Sequence, residues 1–108
     1  MTTLTYQEGD RGRTVSLAVG TRFSVALEEN PTAGYKWSAP KFDGRSLALE
    51  ADDYTLAKGA AIGGGGTRKF VFVVKSIGRT TIRLVYKRPW EKDAAPEATF
   101  ELTVVGTR

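Results

Sequence analysis

Apolar residues recur at every second position over most of this chain, and no long stretch carries the three-and-four spacing of an amphipathic helix. Successive side chains of a strand point to opposite faces, so this period of two predicts strands with one buried face. Val15, Leu17 and Val19 alternate with Thr14, Ser16 and Ala18; beyond Gly20, Phe23, Val25 and Leu27 alternate with Ser24, Ala26 and Glu28. Tyr35 and Trp37 then face one way, Lys36 and Ser38 the other. Leu47, Leu49 and Tyr54 suggest strand segments interrupted at Asp43-Gly44 and Asp52-Asp53, and Lys58 to Thr67 reads as a loop rich in Ala and Gly. The pattern returns at Phe70, Phe72 and Val74, again after the Ser76-Ile77-Gly78 turn at Ile82, Leu84 and Tyr86, and last at Phe100, Leu102 and Val104. About seven or eight short antiparallel strands separated by turn residues predict an all-β, immunoglobulin-like β-sandwich, with Trp37 a core residue on a central strand. A length of 108 residues is that of one domain.

The residue inventory narrows the chemistry. The chain has neither histidine nor cysteine. Ser-His-Asp and Cys-His catalysis, disulfides and Cys-based zinc sites are therefore excluded, and no cofactor or metal is expected. The adjacent carboxylates Glu28-Glu29 and Asp52-Asp53 would point to opposite faces of a strand, so neither pair converges on a substrate. Both read as solvated surface charge, and an enzyme is not expected. The formal net charge is +4, but no run of like charges forms a nucleic-acid arm. Lys69, Lys75, Arg79, Arg83, Lys87 and Arg88 read instead as solvated strand faces that guard against edge-to-edge pairing. Met1 to Tyr6 lacks the charged start and apolar stretch of a signal peptide, and no window approaches a membrane span.

Three segments fall outside the strand pattern. In Asn30-Pro31-Thr32-Ala33-Gly34-Tyr35, Pro31 fixes its own φ and holds Asn30 extended, and Gly34 permits a positive φ. The segment is either a rigid inter-strand turn or a stiff loop presenting Thr32. Ile62 is followed by Gly63, Gly64, Gly65 and Gly66, a run whose ordering costs entropy. Close backbone approach to a partner or plain flexibility would account for it; the ending of a P-loop is missing. In Arg88-Pro89-Trp90-Glu91, Pro89 ends the ladder, and Trp90 either folds back on the core or stands out as an interface anchor.

In this order and between strands, the three segments resemble the motifs of the chagasin family of cysteine peptidase inhibitors: Asn-Pro-Thr-Thr-Gly-aromatic, Gly-x-Gly-Gly and Arg-Pro-Trp/Phe. The resemblance covers nearly all of the chain as one inhibitor domain, 1–108. It implies a sandwich whose three loops form a wedge in the active-site cleft of papain-like enzymes, without being cleaved. It further implies that Thr32 faces the catalytic histidine, that Gly63 to Gly66 lie along the substrate groove with Ile62 near the hydrophobic specificity pocket, and that Trp90 packs on the leaving-group side. Ala33 replaces the family's second threonine and Tyr35 the commoner Phe. A monomer acting one-to-one is expected, with no nucleic acid or membrane as partner. A generic immunoglobulin-like binding module with a non-peptidase partner is the competing reading.

Overall fold

The computed structural model describes residues 4–30, 34–56, 65–91 and 95–108. In chain order the strands are β1 (Leu4–Tyr6), β2 (Thr14–Ala18), β3 (Arg22–Glu29), β4 (Lys36–Trp37), β5 (Leu47–Leu56), β6 (Gly66–Val74), β7 (Gly78–Lys87) and β8 (Ala98–Thr107). They form two four-stranded sheets, ordered β1-β3-β6-β5 and β2-β8-β7-β4. The period of two becomes the core directly. Phe23, Val25, Leu27, Phe70, Phe72 and Val74 of the first sheet are buried with Ile82, Leu84, Phe100, Leu102 and Val104 of the second. Phe23 and Phe72 are register partners and stack at 5.3 Å between ring centroids. Burying each such phenylalanine contributes roughly 1.5–3 kcal/mol.

Three expectations need correction. The pairing is not wholly antiparallel: β1 joins β3, and β2 joins β8, in parallel register. A single 3-10 turn at Glu8–Asp10 carries the chain from the edge of one sheet to the edge of the other, so the two short edge strands run alongside their neighbours. Asp52-Asp53 does not interrupt β5, which is continuous with one bulge between Leu49 and Ala51. The strand lies at a sheet edge, where both carboxylates reach solvent, and Asp52 pairs with Arg68 across to β6 at 3.1 Å. Trp37 is buried, but on a two-residue edge strand, not a central one. Ser38 extends the pairing by one residue, its N–H donating to Val85 O and its hydroxyl accepting from Val85 N. Pro40, which lacks a donor, follows.

Candidate functional site

The register places three loop openings at one end of the sandwich. Glu29 at the end of β3 and Leu56 at the end of β5 both pair with Gly66 at the start of β6. Lys87 at the end of β7 pairs with Lys36 at the start of β4. The β3–β4, β5–β6 and β7–β8 connections, which hold the three sequence motifs, therefore leave the same end. Pro31, Thr32, Ala33, Ile62, Gly63 and Gly64 lie outside the described residues.

The base of the first loop is fastened on both sides. Glu29 Oε1 accepts the Trp37 main-chain N–H at 2.8 Å, and Trp37 Nε1 donates to Glu28 O at 2.8 Å. Asn30 N donates to the Tyr86 hydroxyl at 2.8 Å. The other oxygen of Glu29 takes two bonds from Arg68, at 3.1 Å from Nε and 2.7 Å from Nη2. Arg68 also lies over the Tyr54 ring, 5.5 Å from its centroid. Burial disfavours the Arg68 charge, but its bonds to Glu29 and Asp52 outweigh this and hold its pKa above the ordinary arginine value. Glu29 is thus not the solvated charge its composition suggested: it is only 2% exposed. Its position carried the signal, because Glu29 continues the inward phase of Phe23, Val25 and Leu27, and Arg68 that of Phe70 and Phe72. A buried carboxylate requires a partner, and the facing strand supplies one.

Above this clamp an aromatic series runs outward. Trp37 and Tyr86 lie 4.9 Å apart, Tyr86 stacks on Tyr35 at 5.5 Å, and the Arg88 guanidinium sits 4.8 Å from the Tyr35 centroid. Arg88 and Glu91 close the third loop with a 3.3 Å ion pair and a main-chain bond from Glu91 N to Arg88 O. Trp90 neither folds into the core nor stands isolated. Its indole lies across Gly34, whose φ is +85° and where any Cβ would run into Cη2 of the ring. The residue stays 67% exposed. The second loop meets the first at Gly65, where an added Cβ would lie 3.2 Å from Glu29 O and 3.9 Å from Asn30 Cβ.

The motif residues consequently divide. Pro89 and Trp90 are exposed, Asn30, Gly34, Tyr35, Gly65 and Arg88 half-buried, and Gly66 buried. Gly66 is glycine for an internal reason, since a Cβ there would collide with Thr55 O and sit 2.6 Å from the Tyr54 hydroxyl. Glu29, Arg68, Tyr54 and Tyr86, which support the loops, were not marked by the motifs. Among the described residues no group of three or more acidic side chains is arranged to hold a metal ion. Among the described residues, the first loop is approached by the third at Trp90 and by the second at Gly65.

A family model described as chagasin family peptidase inhibitor I42 matches residues 16–104. Chagasin of Trypanosoma cruzi is 31% identical over 83 residues, covering 73% of this chain and 76% of that protein. Amoebiasin-1 of Entamoeba histolytica is 33% identical over 97 residues, covering 90% and 93%. The crystal structure of the cysteine protease inhibitor EhICP2 from Entamoeba histolytica aligns with a TM-score of 0.88 at 25% identity, over 97% of this chain and 96% of that one. This chain belongs to the chagasin family of peptidase inhibitors, and it is a cysteine peptidase inhibitor, not an enzyme.

Proposed function

We propose that this chain inhibits papain-like cysteine peptidases by inserting the loop end of the sandwich into the active-site cleft, reversibly and one-to-one. Asn30 to Tyr35 would cover the catalytic Cys-His pair, with Thr32 toward the histidine. Ile62 to Gly66 would run along the substrate groove, where main-chain hydrogen bonds hold a peptide. Pro89 and Trp90 would pack on the leaving-group side, with Arg88 holding their loop. Blocking a cleft in this way needs no nucleophile, metal or titrating histidine.

The observation that carries this reading is the contact of Trp90 with Gly34 and of Gly65 with Glu29 and Asn30. Contacts made before a partner arrives reduce the freedom lost on binding, so a modest contact area can still bind tightly. The glycine run gives the second loop a backbone that enters a groove without side-chain clashes. Titrating papain and a cathepsin L-type enzyme against a fluorogenic peptide tests the proposal. Stoichiometric loss of activity, recovered on dilution with the inhibitor uncleaved, is the expected result. Full peptidase activity in molar excess of folded protein, across several papain-like enzymes, overturns it.

A further inference from the structure

The outer face of the β2-β8-β7-β4 sheet has a charge distribution that its fold does not require. Ile82 and Leu84 of β7 point inward, so Arg79, Arg83, Val85 and Lys87 point outward. Lys36 joins them beside buried Trp37, and Lys41 beside Phe42, which packs on the core. Two of the cross-strand pairs on this face set like charges directly opposite: Lys36 against Lys87, and Lys41 against Arg83. Such pairs destabilise a sheet. Among the described residues, Arg83 alone of these five cations is ion-paired, with Glu101 at 3.5 Å in an exposed pair, a geometry of little net worth. Against these five cations the face sets Glu101 and, by the same alternation, Glu97 just before β8.

Edge protection explains Lys36 on β4, an edge strand, and Lys41 farther along the same edge. It does not explain Arg83 and Lys87, which lie where β7 is covered by Lys41 and by β4; Arg79 lies beyond that cover. Lys36, Lys41, Arg83 and Lys87 instead line a groove with Val85 and, toward the loop end, Pro89. That end is continuous with the third loop, and Lys36 directly follows Tyr35 of the first.

We propose that this groove is a second docking surface, which takes a carboxylate-rich stretch of the target peptidase's surface beside its cleft. The inference rests on the inhibitory reading above. Its position at the flank of the loop end lets the rim of a bound enzyme reach it. Its charge acts before contact, steering the encounter and selecting acidic targets more than it tightens the final complex.

The test measures association and dissociation rate constants with an acidic papain-like peptidase at low and high salt. Two variants are compared with the unaltered protein. One is the quadruple K36Q/K41Q/R83Q/K87Q. The other is Lys36→Glu, which turns a like-charge pair into an ion pair and so lowers steering without weakening the fold. The expected result is an association rate about tenfold lower at low salt for the quadruple variant and a flatter salt dependence. Dissociation rates stay unchanged, thermal midpoints do not fall, and Lys36→Glu shows a smaller loss of the same kind. Unchanged association rates and salt slope in both variants overturn the docking surface while leaving the inhibitor standing. Absence of inhibition by the unaltered protein instead removes the reading beneath it. Retention on a sulfated polysaccharide that the quadruple variant loses, with peptidase association unaffected, also overturns it and assigns the groove to polyanions.

Discussion

The Glu29 carboxylate accepts the Trp37 main-chain N–H at 2.8 Å, so a side chain from the strand entering the first loop holds the strand leaving it. The same carboxylate is ion-paired to Arg68 at 2.7 Å, just inside the start of β6. One buried group therefore ties together the strand ends from which two of the three loops emerge. The strand ends that carry the loops are thus fastened from below, in the last layer of the core.

Removing Arg68 leaves the buried Glu29 carboxylate without a counter-charge, whereas removing Glu29 leaves Arg68 paired with Asp52 at 3.1 Å. Arg68→Ala should lower folding stability by about 3–5 kcal/mol and Glu29→Ala by less. The double replacement E29L/R68M should cost less than Arg68→Ala, because no charge is stranded and only the Trp37 N–H loses its acceptor. Urea denaturation of the three variants checks this. A double variant less stable than either single one would show that the pair is not the source of the loss. If it also inhibits more weakly than its stability explains, the clamp has a further role in setting loop geometry.

Gly65 and Gly66, at the entry to β6, should behave differently. At Gly66 a new Cβ meets Thr55 O and the Tyr54 ring with no room to move, an overpacking that typically costs about 1–3 kcal/mol. At Gly65 the nearest obstacle is Glu29 O at 3.2 Å, and the backbone can yield by a few tenths of an ångström. Denaturation midpoints should therefore fall clearly for Gly66→Ala and only slightly for Gly65→Ala. The reverse order would contradict the packing described for β5 and β6.

How far the structure was legible in the sequence depended on what each residue type encodes. Alternation at Phe23, Val25 and Leu27, or at Phe100 and Leu102, specifies a strand and its inner face, and both appear as read. It carries no information on the direction of a neighbour, so the parallel pairing of β1 and β2 was out of its reach. Asp52-Asp53 resembled a break because acidic pairs are poor strand formers, yet an edge strand lets both reach water and gives one of them Arg68. Charge alone assigns Glu29 to solvent, whereas its phase assigns it to the interior, where it lies. The motifs located the three loops but not the residues beneath them: Tyr86 reads as one more alternating aromatic until its hydroxyl is found on Asn30 N.

Stability should be level across mildly acidic and neutral pH. The chain has no histidine, so no side chain has an ordinary pKa between about 5 and 8. The Gln7 N–H and then the Arg13 side chain hold the Asp10 carboxyl below its ordinary 3.8, and Arg22 holds Glu50 below 4.5. A carboxyl depressed in the folded state contributes stability that is present above its unfolded value and is lost as pH falls through the folded one. Urea midpoints should stay flat from about pH 8 to pH 5 and decline below roughly pH 4. At the alkaline end, burial raises Tyr6 above 10.0, so its contribution is complete below that value and is lost as pH rises through the shifted one. A marked fall between pH 7 and pH 5 would point to a titrating group that these contacts do not supply.

Trp90 and Gly34 should separate folding from binding. Trp90 is 67% exposed, so Trp90→Ala should change stability by no more than about 0.5 kcal/mol. As a buried anchor in the complex it should weaken inhibition about 30-fold, equivalent to about 2 kcal/mol. Gly34→Ala costs roughly 1–2 kcal/mol of folding stability, because an L-residue is forced to positive φ, and its new methyl displaces the indole that lies across Gly34. Inhibition should weaken here through displacement of a side chain that is itself unchanged. In a double-mutant cycle on the inhibition constant the two losses should therefore fall well short of adding, since without Trp90 the methyl at position 34 has no ring to move. Strictly additive losses would mean that Trp90 and the first loop meet the peptidase independently, and that their contact in the unbound protein does not prepare the binding surface.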